Sequence, residues 1–219
     1  MLELNFARAA GGARRVLCLG AHCDDIEIGC GGTLLALQES GDFHIDWAVF
    51  SGTQTRRAEA RAAMLGLVKR RARGTLSFGD FPDGRFPACY VEIKAFAEEL
   101  KKTHAPDIVL CHEREDRHQD HRMVNELAWS TFRDQLILEY EIPKWDGGLG
   151  QPNIYVPVSA AQARRKVAVL LKAYRTQSSR DWFTAETFMA LLRLRGVECR
   201  APSGYAEAFH GRKLRLGAG

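Results

Sequence analysis

Apolar and polar positions in the first two thirds of the chain follow two alternating periods. Short β-rich apolar runs stand at 15–20 (RVLCLG), 45–50 (IDWAVF), 74–78 (GTLSF) and 105–111 (APDIVLC), bounded by turn formers or charged residues as strands are. Between them the apolar residues recur at helical spacing. Segment 32–39 carries Leu34, Leu35 and Leu37 and stops at Ser40-Gly41, and segment 55–68 carries Ala58, Ala62, Leu65 and Leu67. Segment 90–103 sets Ile93, Phe96, Ala97 and Leu100 on one face, and a further helix is expected over 121–133. FPDG at 81–84 reads as a turn. Strands alternating with helices predict an α/β fold with a doubly wound, mostly parallel sheet.

Past DQLILEYEI (134–142), a fifth strand, the alternation stops. PKWDGGLGQPN (143–153) is a long turn-rich connection, IYVPVS (154–159) a short strand or loop, and helices follow over 160–174 and 181–195. YAEAFHGRKLRL (205–216) has β character. No repeat or low-complexity linker sets this tail apart, so it is expected to pack on the same sheet. The expectation is one Rossmann-like domain over 1–219: an α/β core at 1–142 and an α-rich extension at 143–219 that shapes a substrate pocket.

Composition narrows the picture. With 219 residues, 46% of them hydrophobic, one full core is affordable and a second is not. No apolar run approaches the roughly eighteen residues that span a bilayer. The N-terminus, MLELNFARAAGGARR, has an early acid and no apolar stretch of signal-peptide length. A soluble cytoplasmic protein without membrane insertion is therefore expected. Net charge is +4, with the basic residues in short clusters such as RRAEAR, KRRAR and GRKLRLG. Nucleic-acid binding would need a concentrated basic face or a recognisable module, and neither is present. The six cysteines form no C-x-x-C pair and read as reduced core thiols.

The chemistry begins at AHCDDIEIGCGG (21–32), directly after the first strand. A dinucleotide fingerprint needs G-x-G-x-x-G at the strand end, where amides approach a pyrophosphate. Here Gly29 and Gly31 could be the first two glycines, but Leu34 stands at the third position and His22, Asp24 and Asp25 come first. Two carboxylates would repel a pyrophosphate; they suit a cation. In a sheet of order 3-2-1-4-5 the first and fourth strands are neighbours at the switch point. That places His22, Asp24 and Asp25 beside the DRHQDH run, with Asp116, His118, Asp120 and His121. Two histidines and a carboxylate satisfy a catalytic Zn2+, which lowers the pKa of bound water to roughly 7. A spare carboxylate can take that water's proton and a spare histidine can stabilise an oxyanion.

AHCDDIEIGCGGTL and DRHQDH resemble the two motifs of the LmbE-like, or PIG-L, family of zinc-dependent N-deacetylases, A-H-P-D-D with a glycine-rich turn and H-x-D-H. The likeness continues in RRAEARAAMLGL (56–67), FPDG, LKAYRTQ and YAEAF, and so covers nearly the whole chain. It implies His22, Asp25 and His121 as metal ligands, Asp24 as general base, His118 as the group that polarises the amide carbonyl, and Asp120 as the residue that orients a histidine. Arg56 and Asp83 fall where the family contacts substrate, with Arg57 competing for the place of Arg56. Gly29, Gly31 and Gly32 would shape a tight turn round the metal loop. Cys23 departs from the family's proline and removes its fixed φ; it is expected to be a spectator.

The resemblance thus implies a hydrolase in which a zinc-bound water attacks the acetyl group of an N-acetylated amino sugar or its conjugate, the ion being Zn2+ or another divalent metal. Two alternatives stay open: a non-hydrolytic Mg2+-dependent nucleotide or sugar-nucleotide binder, and the same hydrolase acting on a different amide. The expected partner is a small molecule; a homo-oligomer is left open. His112 and Glu113 are expected in a solvated loop, and His44, His104 and His210 carry no signal. Trp145, Tyr155, Trp182 and Phe183 read as packing, with Trp145, in a glycine-rich loop, as a lid candidate.

Overall fold

Seven strands form one sheet in the order β3-β2-β1-β4-β5-β7-β6. The computed structural model describes residues 12–215, so most of the N-terminal stretch used in the leader argument lies outside the described residues. β1 (Arg14–Gly20) pairs in parallel with β2 (Phe43–Val49) along its whole length and with β4 (Ile108–His112) from Val16 to Cys18. β3 (Arg73–Phe78) and β5 (Leu136–Tyr140) extend the parallel sheet on either side. β7 (Ala206–Gly211) then runs antiparallel to β5, and β6 (Ile154–Pro157) antiparallel to β7. The C-terminal segment therefore joins the same sheet, as its lack of a linker implied.

Both faces are covered, which is why β1 is a continuous apolar run rather than an alternating one. Val16 and Cys18 point into a core shared with α1 (Asp25–Ser40), α2 (Gln54–Leu67), α5 (Ala160–Ala173) and α6 (Ala185–Glu198). Leu17 and Leu19 point into the opposite core, under α3 (Tyr90–His104) and α4 (Gln119–Thr131). Among the described residues no helix is long and apolar enough to cross a membrane.

The structure corrects the expected glycine turn. α1 starts at Asp25, not at 32, so Gly29, Gly31 and Gly32 are helical. They are there for close packing. A Cβ on Gly29 would stand 2.2 Å from Cδ2 of Tyr140, a fully buried ring whose hydroxyl donates to Leu19 O at 2.6 Å. Beside Gly32 lies the Glu207 carboxylate, which accepts from Gly32 N at 2.8 Å and Thr33 N at 2.6 Å. Gly29, Gly31 and Gly32 therefore form no phosphate-cradling turn, the feature on which the nucleotide-binding alternative was built. Gly29→Ala is expected to cost about 1–3 kcal/mol or more, because the ring cannot move without losing its bond. Urea denaturation reads this directly, and an unchanged midpoint would refute it.

Other boundaries shift less. α4 begins at Gln119, two residues before its expected start, so Asp120 and His121 lie on its first turn. β4 ends at His112, which makes that residue part of a buried strand and not of a solvated loop. Phe183 packs against Tyr174 and Phe188 as expected of a core aromatic, whereas Trp145 is 62% exposed.

Candidate active site

Two helix N-termini meet at the carboxyl edge of the sheet, α1 after β1 and α4 after the loop that follows β4. Each opens with acids, which the positive end of a helix favours. Asp25, on the first turn of α1, accepts the His22 amide at 2.6 Å and so folds the 22–25 turn. Asp24 stands at the N-cap but caps nothing with its side chain. His118 is the N-cap of α4, its Nδ1 accepting Asp120 N at 3.2 Å.

The strand order brings the two turns together as the topology predicted. His22 Nδ1 is 3.2 Å from His121 Nε2, and Asp25 lies 3.5 Å from each of these nitrogens through its two oxygens. A tetrahedral zinc site with bonds of about 2.0–2.1 Å separates its ligand atoms by about 3.3 Å. The triangle therefore fits one ion. Each histidine is also backed on its other nitrogen by carboxylate: His121 Nδ1 by Asp116 at 2.9 Å, His22 Nε2 by Asp83 at 3.0 Å and Asp120 at 3.3 Å. Such outer partners fix ring orientation in metal sites.

Electrostatics say the same. Burial opposes charge on His22, but Asp120, Asp25 and Asp83 raise its pKa well above the usual imidazole value. Burial would raise Asp25 as well, yet the facing His121 and His112 hold it well below the ordinary range. His121 is pushed down to about 3 by burial and then by His112. His118 is also lowered, by burial and by His22. The pocket is rich in carboxylate, a demand for positive charge that a divalent cation meets. Asp24 differs. Burial raises its pKa, with Arg56 pulling the other way.

Arg56 Nη2 reaches Asp24 Oδ1 at 2.5 Å. Thr53 caps α2 by accepting Arg56 N at 3.4 Å, which sets the helix register. Arg57 turns away instead, to Gly52 O at 2.7 Å, Gly79 O at 2.8 Å and Asp80 at 2.6 Å. Of the two candidates, Arg56 is the one at the site. Arg56 Nε is buried with no hydrogen-bond partner among the described residues. Asp120 accepts Gly84 N at 2.6 Å and Phe86 N at 3.1 Å, so it holds the turn that carries the exposed Asp83 as well as touching His22. Gly84 has φ +75, which suits glycine at that turn position. Cys23 is buried with its thiol against Ser51 O at 3.5 Å, and burial pushes that thiol up to about 12. It lies outside the ligand triangle.

Several participants escaped the sequence reading. His112 is fully buried, its Nε2 accepting Ala21 N at 2.9 Å and standing 3.2 Å from Asp25, its ring stacked on His121 at 3.8 Å. The signal that could have found it is its place at the end of a strand already set beside His22. Lys144 Nζ lies 2.7 and 2.8 Å from the two Asp116 oxygens. The Tyr174 hydroxyl donates to Cys23 O and to Glu27, whose carboxyl is fully buried.

The family model for PIG-L, described as GlcNAc-PI de-N-acetylase, matches residues 17–132. A curated relative from Escherichia coli strain K12, an uncharacterized deacetylase named YaiS, is 27% identical over 186 residues, covering 78% of this chain and 97% of its own. Among solved structures, the N,N'-diacetylchitobiose deacetylase from Pyrococcus horikoshii superposes with a TM-score of 0.70 at 22% identity, over 90% of this chain and 83% of that one. The 4-carboxy-2-hydroxymuconate hydratase GalB from Pseudomonas putida KT2440 superposes with a TM-score of 0.76 at 17% identity, over 94% and 99%. At these identities the two superpositions establish the shared fold. With a family model that runs from β1 through α4 and takes in both motif-bearing helix starts, the chain belongs to the PIG-L (LmbE-like) family of deacetylases.

Proposed function

We propose that the protein is a zinc-dependent N-deacetylase that releases acetate from an N-acetylated amino sugar or its conjugate. The observation that carries this reading is the triangle of His22, Asp25 and His121 with a second carboxylate, Asp24, beside it, paired with Arg56 and not with a ring nitrogen. Those three residues would hold Zn2+ or another divalent ion, which when bound acts as a Lewis acid and brings the pKa of a water towards 7.

The chain's own groups then divide the work. Asp24, oriented by Arg56, takes the proton of the attacking water, and its raised pKa suits a group that must accept one. His118 has a lowered pKa and lies in the rim of the same pocket, 4.9 Å from His22 between ring centroids. Its Nδ1 accepts Asp120 N, so Nε2–H hydrogen-bonds the developing oxyanion, and Asp24 passes the proton taken from the water to the departing amine. Asp120 keeps His22 and the 83–84 turn in place. Asp83 and the Arg56 guanidinium bind substrate hydroxyls, and the extension from 143 onward shapes the pocket around them.

The test is protein purified without added metal, assayed for bound metal by elemental analysis and for acetate release from N-acetylglucosamine conjugates. Because a hydratase shares this fold, acetate itself is the readout. Near-stoichiometric zinc and acetate release that a chelator stops, and zinc restores, are the expected results. Zinc without release from any sugar would transfer the reading to another amide. No transition metal even after reconstitution would refute the ligand assignment.

A further inference from the structure

The segment LKAYRTQ (171–177) leaves the end of α5 and touches both elements that carry the Asp24–Arg56 pair. Tyr174 is fully buried and its ring meets Phe183 edge-on at 6.3 Å between centroids, so packing fixes where its hydroxyl lies. That hydroxyl donates to Cys23 O and also meets Glu27 on the first turn of α1. Two residues on, Thr176 binds the Glu59 carboxylate through its amide at 2.9 Å and its hydroxyl at 2.6 Å. Glu59 stands three residues after Arg56, on the neighbouring turn of α2.

The turn these contacts reach has little else to hold its middle. Cys23 lies between His22 and Asp24 and lacks the φ lock that a proline would give there. Asp24 caps no amide of α1 with its side chain, which goes to Arg56 instead. Rotating the peptide between 23 and 24 would swing Asp24 off that guanidinium, and its carbonyl oxygen is the atom that Tyr174 holds. Three consecutive residues, 174–176, thus tie down both sides of the pair.

We propose that Tyr174 and Thr176 are positioning residues, a clamp that sets Asp24 against Arg56 and supplies at Cys23 the restraint that proline would otherwise provide. This rests on the proposed metal triangle and on Asp24 as the base. The experiment measures zinc affinity, by competition with a chromophoric chelator, beside the kinetics of acetate release from N-acetylglucosamine conjugates. Tyr174→Phe is expected to weaken zinc binding by about tenfold, the usual cost of losing an outer partner, because Cys23 sits inside the turn that bears His22 and Asp25. It should lower kcat by a similar factor and change KM by no more than about twofold. Glu59→Ala acts only on the α2 side: kcat is expected to fall roughly tenfold with zinc affinity unchanged. In a Cys23→Pro background, Tyr174→Phe should cost zinc affinity about twofold at most, a rescue that simple loss of core packing would not show. Ordinary zinc affinity in Tyr174→Phe, or an equal penalty in both backgrounds, overturns the hold on the turn. Ordinary kcat in Glu59→Ala overturns the hold on Arg56. If the unaltered protein binds zinc but releases acetate from no conjugate, the deacetylase reading falls and the zinc affinities alone decide the clamp.

Discussion

Asp24→Asn is expected to lower kcat by roughly a hundred- to ten-thousand-fold, the usual contribution of a positioned general base, with the zinc content unchanged. Of the paired carboxylates at 24 and 25, Asp24 lies outside the triangle proposed to hold the metal, and its contact is with Arg56 rather than with a ring nitrogen. Asparagine keeps an oxygen for Arg56 to hold, so the fold and the arginine stay in place while the proton acceptor is gone. Elemental analysis and acetate release on the same sample decide the matter. If the metal leaves with the carboxylate, Asp24 is a ligand and the assignment of the pair is reversed. A variant with ordinary turnover would make another group the base.

The second large effect is on stability and lies behind the site. Lys166 and Glu207 are both buried, their ion pair spanning 2.6 Å, and together they grip the middle of α1. Lys166 donates to Ile28 O at 2.5 Å while Glu207 accepts Gly32 N and Thr33 N at 2.8 and 2.6 Å. Removing one partner of a buried pair costs about 3–5 kcal/mol, because the remaining charge keeps its desolvation penalty and loses its attraction. Glu207→Ala would also orphan two buried amides. A loss of that size is a large part of a domain's total of roughly 5–15 kcal/mol. The double variant Lys166→Met/Glu207→Gln, which removes both charges and keeps one acceptor for the amides, is expected to unfold at higher urea than Glu207→Ala. A single-variant loss below about 1 kcal/mol would show that water or a repacked helix replaces the pair.

These two predictions draw on different kinds of information. The chain alone places Asp24 and Asp25 together at a strand end, and the resemblance to the family is what singles out Asp24 of the two. Nothing local marks Lys166 or Glu207. Each reads as a surface charge on a helix and a strand, and only the docking of α5 and β7 on α1 buries them together.

The same contrast runs through the site. Adjacent residues on a helix point about 100° apart, so deciding between Arg56 and Arg57 required the cap at Thr53 and the position of Asp24. His112 looked like a loop residue since a histidine after a strand is commonly solvated. Its burial follows from α4 folding back so that His121 stacks upon it. The glycines at 29, 31 and 32 read as a turn because glycines that follow a strand commonly form one and the resembled motif has one there. Tyr140, from β5, is what makes Gly29 a packing residue inside a helix.

By itself, then, the sequence determined the alternation of strands and helices, the order that makes β1 and β4 neighbours, and the two residue clusters that could hold a metal. Each of these depends on periods and turn chemistry within a few residues. Tertiary structure decided which carboxylate faces an arginine and which faces two histidines, where α1 begins, and that Tyr174 reaches the carbonyl of Cys23. Those outcomes depend on contacts between segments far apart in the chain, and such contacts form only once both faces of the sheet are covered.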